Sequence, residues 1–113
     1  MDEGCGHYYV YVMACADGSL YSGMTTDAVR RVREHLGRGV RCARYTRSHP
    51  VTGVAALWEA PDRSSAGRLE WRLHHMTRAQ KDRLIAHPHD AGDGFVACSE
   101  ADCVAVWNSA LMP

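Results

Sequence analysis

The chain has 113 residues, 46% of them hydrophobic, and a formal net charge of zero. That length predicts one domain with a core of its own, and that apolar content excludes disorder as the default state. No run of about 18 apolar residues occurs, which excludes a membrane-spanning helix, and the acidic start Met1-Asp2-Glu3-Gly4 lacks the basic and apolar regions of a signal peptide, so a cytoplasmic protein is expected.

Tyr8-Tyr9-Val10-Tyr11-Val12-Met13, within His7–Cys15, is rich in aromatic and β-branched residues and predicts a strand. Ala16-Asp17-Gly18-Ser19 reads as a hairpin turn, and Leu20–Met24 as the returning strand. Thr25, Thr26 and Asp27 are cap candidates for a helix over Ala28–Leu36, with Val29, Val32 and Leu36 on its inner face. Gly37-Arg38-Gly39 ends it, and Val40–Pro50 reads as a basic loop. Val51–Ala60 predicts a third strand at the edge of the hairpin. Ser64–Met76 predicts a second helix with Leu69, Leu73 and Met76 inward. Thr77-Arg78-Ala79-Gln80 fits a capping box opening a third helix to about Ala86. The expected fold is a small α/β domain: a three-stranded antiparallel or mixed sheet flanked by helices in the order β-β-α-β-α-α, over residues 1–87, with a C-terminal extension over 88–113. In that extension Phe95-Val96-Ala97 suggests a short strand or extended segment, and Ser99–Leu111 a last helix presenting Val104 and Trp107.

Charge is distributed unevenly. Residues 88–113 hold Asp90, Asp93, Glu100 and Asp102 and no Lys or Arg, which leaves 13 basic against 9 acidic residues before them. Arg30, Arg31, Arg33, Arg38, Arg41, Arg44 and Arg47 crowd one stretch opposed only by Glu34. Such a patch suits a polyanion, and arginine suits forked contacts to phosphate; a solvated surface patch is the plainer alternative. The acidic extension would then cover the cationic face. The odd cysteine count with irregular spacing is no disulfide framework. Cys15 is expected to act as a small core hydrophobe, and Cys98 and Cys103 with His87 and His89 lack ligand spacing for a metal.

A spaced set stands out: Tyr9-Val10-Tyr11, then Tyr21-Ser22-Gly23, then Arg31, with His35 one helical turn on and Glu70 on the second predicted helix. Tyr11 and Tyr21 are expected to face each other across the hairpin, and Gly23 to allow a close approach. Packing explains two strand tyrosines by itself, and a salt bridge explains a helical glutamate. The ordered set, however, resembles the GIY-YIG nuclease superfamily, in particular its small single-domain members. Tyr9-Val10-Tyr11 and Tyr21-Ser22-Gly23 stand where that family has its two tripeptides, and Arg30-Arg31-x-x-Glu34-His35 looks like its helix. Ala66-Gly67-Arg68-Leu69-Glu70-Trp71 looks like the helix carrying the metal ligand. Ala43-Arg44-Tyr45-Thr46 and Pro50-Val51 also match small members. The resemblance covers roughly residues 7–86. Valine and serine replace the two isoleucines, tyrosine replaces the first glycine, and where many larger members carry an asparagine after the metal-binding glutamate, the only asparagine here is Asn108, far into the tail.

The resemblance implies a metal-dependent endonuclease. Glu70 would hold one Mg²⁺ or Mn²⁺ with phosphate and water. Tyr11 would act as base, Arg31 would hold the scissile phosphate, Tyr21 would order the site, and His35 would support proton transfer. Arg30, Arg38, Arg41, Arg44, Tyr45 and Arg47 would contact DNA. Nothing resembles an attached reader of duplex sequence, and Tyr45, His49 and Trp71 could stack on unpaired bases. Single-stranded or branched DNA, in repair, recombination or uptake, is therefore the expected substrate. A noncatalytic nucleic-acid-binding module and a protein-interaction domain using Val104, Trp107 and Leu111 are the rivals.

Overall fold

The hairpin forms because both strands can be buried and the turn between them can close. In a computed structural model describing residues 7–37 and 43–112, β1 (Tyr8–Cys15) and β2 (Leu20–Thr25) are antiparallel. Gly18 takes φ +88°, where L side chains are disfavoured, and Asp17 Oδ1 accepts from the Ser19 backbone nitrogen at 3.0 Å. β3 (Val51–Ala60) pairs antiparallel with the free side of β1, as the sequence suggests. The sheet has four strands rather than three: β4 (Val96–Ala97) adds to β3, giving the order β2-β1-β3-β4. Two residues of strand carry too little pattern to separate a strand from an extended segment.

The sheet is covered on both faces, so its central strand is apolar nearly throughout. α1 (Ala28–Gly37), α2 (Arg44–Ser48) and α5 (Glu100–Leu111) lie on the face carrying Tyr11 and Met13. α3 (Arg63–His74) and α4 (Arg78–Ala86) cover the face carrying Val10 and Val12, with Leu69, Leu73, Trp58 and Leu84 between the layers. The helix starts follow their caps. Asp27 Oδ1 accepts from Arg30 N at 3.0 Å, Asp62 Oδ1 accepts from Ser65 N at 2.7 Å, and Thr77 with Gln80 closes the capping box expected from the sequence. A second box, Ser99 with Asp102, opens α5.

Some expectations change. The stretch read as a loop before Pro50 contains α2, too short for its periodicity to show. The inner face of α1 is Ala28, Val32 and His35, not the all-apolar stripe of Val29, Val32 and Leu36; Val29 and Leu36 are only half-buried. Met76 is likewise half-buried. α5 packs against α1 and β3, burying Cys103 and Ala110, with Trp107 part of that packing and Val104 and Leu111 exposed. Its C-terminal end is held by Arg33, whose Nη2 donates to the Ser109 carbonyl at 2.9 Å. Carbonyl capping of a helix end thus anchors the extension. Among the described residues, none of its four carboxylates forms an ion pair.

Among the described residues no helix is long and apolar enough to cross a membrane. Cys15 is a core residue, and burial pushes the Cys98 thiol up to about 11, so it stays protonated.

Candidate active site

The site is built outward from the register of the hairpin. Tyr11 pairs with Gly23, and Met13 with Tyr21, so the two tyrosines share a face but are offset by two residues rather than directly opposite. Their ring centroids are 6.5 Å apart. The glycine has a steric role: a Cβ at Gly23 would fall 2.6 Å from Tyr11 Cζ and closer still to its hydroxyl oxygen. The Tyr11 ring lies flat across the position where a side chain would be. Close approach at this glycine is made by the protein's own tyrosine.

α1 brings Arg31 and His35 over that ring. Tyr11 Oη lies 2.9 Å from His35 Nε2, and His35 Nδ1 lies 2.6 Å from Thr46 Oγ1 on α2; all three residues are buried. Thr46 Oγ1 donates to the Ala43 carbonyl at 3.2 Å. A threonine hydroxyl has one proton to give, so His35 Nδ1–H donates to Thr46, and Nε2 is left as the acceptor for the Tyr11 hydroxyl. This tautomer is assigned from the network. The Arg31 guanidinium also hydrogen-bonds the Tyr11 side chain. The chain is fully directed, from Arg31 through Tyr11, His35 and Thr46 to Ala43.

Burial dominates its electrostatics. Desolvation pushes the Tyr11 phenol up to about 12, against the hydrogen bond and charge of Arg31, which favour the phenolate. Desolvation and then the Arg31 charge hold His35 down to about 4, with Glu34 opposing. His35 is therefore neutral at pH 7. Burial also works against the charge on Arg31, but Glu34, 2.8 Å from its Nη1, and Tyr11 outweigh it and raise its pKa.

Glu70 comes from the opposite layer, on α3, which packs against β2 and β1. Its carboxylate charge raises the Tyr11 pKa further, so it is felt at the phenol. It is half-exposed, and its ion-pair partner is His74 Nε2 at 3.9 Å, too long for a hydrogen bond. Among the described residues no group of three or more His, Cys, Asp or Glu side chains could hold a metal ion. A single part-exposed carboxylate such as Glu70 could hold only an ion that keeps most of its ligands as water, as Mg²⁺ and Mn²⁺ do.

Rings flank the site. Tyr21 stacks on Tyr45 at 5.7 Å and 15°, and Tyr45 on His49 at 3.9 Å and 4°. On α3 the exposed Trp71 stacks on His75 at 3.9 Å. Arg30, Arg44 and Arg47 are exposed on α1 and α2, while Arg38 and Arg41 lie outside the described residues. Sequence reasoning missed Thr46 and Arg63. Thr46 stands in the Ala43–Thr46 stretch that matches small family members, but neither that match nor the surrounding charge gives it a role. Arg63 opens a second basic stretch, in which Glu70 is the only carboxylate between Asp62 and Asp82.

The model of the GIY-YIG catalytic domain matches residues 7–83. The chain belongs to the GIY-YIG family. Its relatives include the UPF0213 protein BH0048 of Halalkalibacterium halodurans, 38% identical over 81 residues, 71% of this chain and 83% of that one. A UPF0213 protein of Xanthomonas campestris is 45% identical over 74 residues, 66% of this chain and 71% of the relative. The solution NMR structure of the UPF0213 protein BH0048 from Bacillus halodurans has 39% identity and a TM-score of 0.47, covering 71% of this chain and 83% of that one. The family is a nuclease superfamily, which places Tyr11, Tyr21, Gly23, Arg31 and Glu70 in the region that its catalytic domain occupies.

Proposed function

We propose that this GIY-YIG domain is a metal-dependent endonuclease that hydrolyses phosphodiester bonds in single-stranded or branched DNA. The observation that carries this reading is the hydrogen-bond chain in which the Tyr11 oxygen lies between the Arg31 cation and the imidazole nitrogen of a neutral His35. Core packing needs no such arrangement.

Arg31 would grip the scissile phosphate with the part of its guanidinium not used on Glu34. Tyr11 would take a proton from the attacking water while passing its own to His35 Nε2; Nδ1–H stays on Thr46. With the phenol near about 12 and the imidazole near about 4, the proton rests on Tyr11 until the local charge changes. A phosphodiester anion against Arg31 supplies part of that change, because it offsets the positive charge that depresses His35. Substrate binding thus makes the relay more basic. Glu70, with water and a phosphate oxygen, would hold Mg²⁺ or Mn²⁺, which would supply charge stabilisation at the transferring phosphorus and the leaving oxygen. Tyr21 stays at the rim, bridging the buried chain to the ring stack. Arg30, Arg44 and Arg47 would meet the DNA backbone, while the stacked rings favour unpaired bases.

The test is cleavage of labelled single-stranded, branched and duplex DNA with Mg²⁺ or Mn²⁺, beside Glu70→Ala. Metal-dependent cutting of the first two, lost in the variant by at least about a thousandfold while DNA binding persists, is expected. Salt-dependent binding without turnover of any substrate would instead identify a noncatalytic module on the same fold.

A further inference from the structure

A cleft opens beside Arg31, between the N-terminal ends of α1 and α3. Arg30, Arg31, Arg63, Thr25, Thr26 and Glu34 line it. Its single carboxylate is already committed: Glu34 lies 2.8 Å from Arg31 Nη1 and 3.9 Å from Arg30 Nε. Arg63 has no ion-pair partner among the described residues. The cap carboxylates of the two helices do not line the cleft. They turn to backbone instead, Asp27 to Arg30 N and Asp62 to Ser65 N. Three guanidiniums against one carboxylate, with two threonine side chains beside them, form a concave surface for an anion with several oxygens.

We propose that this cleft binds backbone phosphates of the substrate strand adjacent to the phosphate being cut. The inference rests on the nuclease reading and extends it, because it assigns Arg63 and Thr26 a role and gives the strand a direction across the fold. β2 leads from one flank to the other. Tyr21, at its start, touches the Tyr45–His49 ring stack, and Thr25, at its end, touches the cleft. Four residues of strand span about 13 Å, and Gly23, under the Tyr11 ring, lies midway. One flank of the cut therefore meets rings that can take unpaired bases, and the other meets guanidiniums that hold only phosphate. A flank held only by phosphate can be single or double stranded. This asymmetry fits a strand leaving a duplex.

The experiment measures binding of a single-stranded oligonucleotide to Glu70→Gln protein, alone and combined with Arg63→Ala or Arg63→Lys, by fluorescence anisotropy over a salt series. Arg63 is exposed in the first turn of α3, so circular dichroism should be unchanged. Arg63→Ala should reduce the steepness of log affinity against log salt by about 0.7, the value of one phosphate contact on a single strand, and Arg63→Lys should restore it. Oligonucleotides with one uncharged methylphosphonate, walked across the cut position, should show where Arg63 acts. On one flank only, the modification and Arg63→Ala should cost no more together than either does alone. Wild-type affinity and slope for Arg63→Ala would overturn the inference while leaving the nuclease reading intact. No nucleic-acid binding by the Glu70→Gln protein would overturn both.

Discussion

On the sheet face covered by α3 and α4, the fully buried side chains are apolar, among them Val10, Val12, Trp58, Leu69 and Leu73. The polar exception is Ser22, paired across the hairpin with Val12 and therefore on that face. Its hydroxyl is buried with no hydrogen-bond partner. On the face covered by α1 and α2, buried polar atoms are several, and they are bonded in a single direction: Tyr11 to His35 to Thr46. A buried polar group costs free energy unless paired: the α3/α4 face pairs Trp58 Nε1 with the Pro88 carbonyl and leaves Ser22 unpaired, while the α1/α2 face links its buried polar side chains into one chain.

The sharpest way to break that comparison is to exchange the effects of two substitutions. Tyr11→Phe keeps the ring but removes the hydroxyl that His35 accepts from. Cleavage should fall on the order of a thousandfold, with a loss of about 1–2 kcal/mol of stability for the unsatisfied imidazole nitrogen. Leu73→Ala on the other face should cost about 3 kcal/mol and leave the rate per folded molecule unchanged. Denaturant unfolding and single-turnover cleavage measure both. If Leu73→Ala also slows cleavage by the folded protein, the two faces are not independent.

The next effect is the pH dependence of stability. His35 is held near about 4 in the folded protein, below its ordinary value of 6.5. Between those values the unfolded chain binds a proton that the folded chain refuses. Stability is therefore complete above pH 6.5 and declines as the pH falls, by about 3 kcal/mol once pH 4 is reached. Urea unfolding at pH 7 and pH 5 should show part of this loss in the natural protein and not in His35→Gln. Superimposable pH profiles would mean that the imidazole is not buried in its neutral form.

The smallest effect concerns Ser22. Ser22→Ala removes an unpaired hydroxyl from an apolar layer and should stabilise by up to about 1 kcal/mol without altering cleavage. A destabilised variant would reveal a partner for that oxygen.

The hairpin, the third strand and the cap of α4 could be read from the sequence because each has a strong local signal: β-branched runs, Asp17-Gly18, and Thr77 with Gln80. The sharing of a face by Tyr11 and Tyr21 also followed from the sequence, but their two-residue offset did not, because pairing register depends on how the turn closes. Burial of His35 was hidden because it sits one position before Leu36 in a helix whose stripe reads as apolar. Thr46 was hidden in a basic segment whose single helical turn is too short to show a period. β4 is two residues long, too short for an alternating pattern to show. The aromatic and arginine residues gave their identities, while the hydrogen-bond chain linking Tyr11, His35 and Thr46 came only from distances.

The contact between Gly23 and Tyr11 also sets limits on how this chain can vary. The turn at Ala16, Asp17 and Gly18 is exposed, and lengthening it costs about 0.6 kcal/mol of loop entropy per doubling, beyond its bonds to Pro50 and Arg78. Sliding β2 against β1 by one residue is another matter. It would put a serine or a methionine under the tyrosine ring and turn Tyr21 to the opposite face. The hairpin thus works as a ruler with an adjustable end and a fixed mark: insertions in the turn can accumulate, while the alignment of position 11 with position 23 cannot drift.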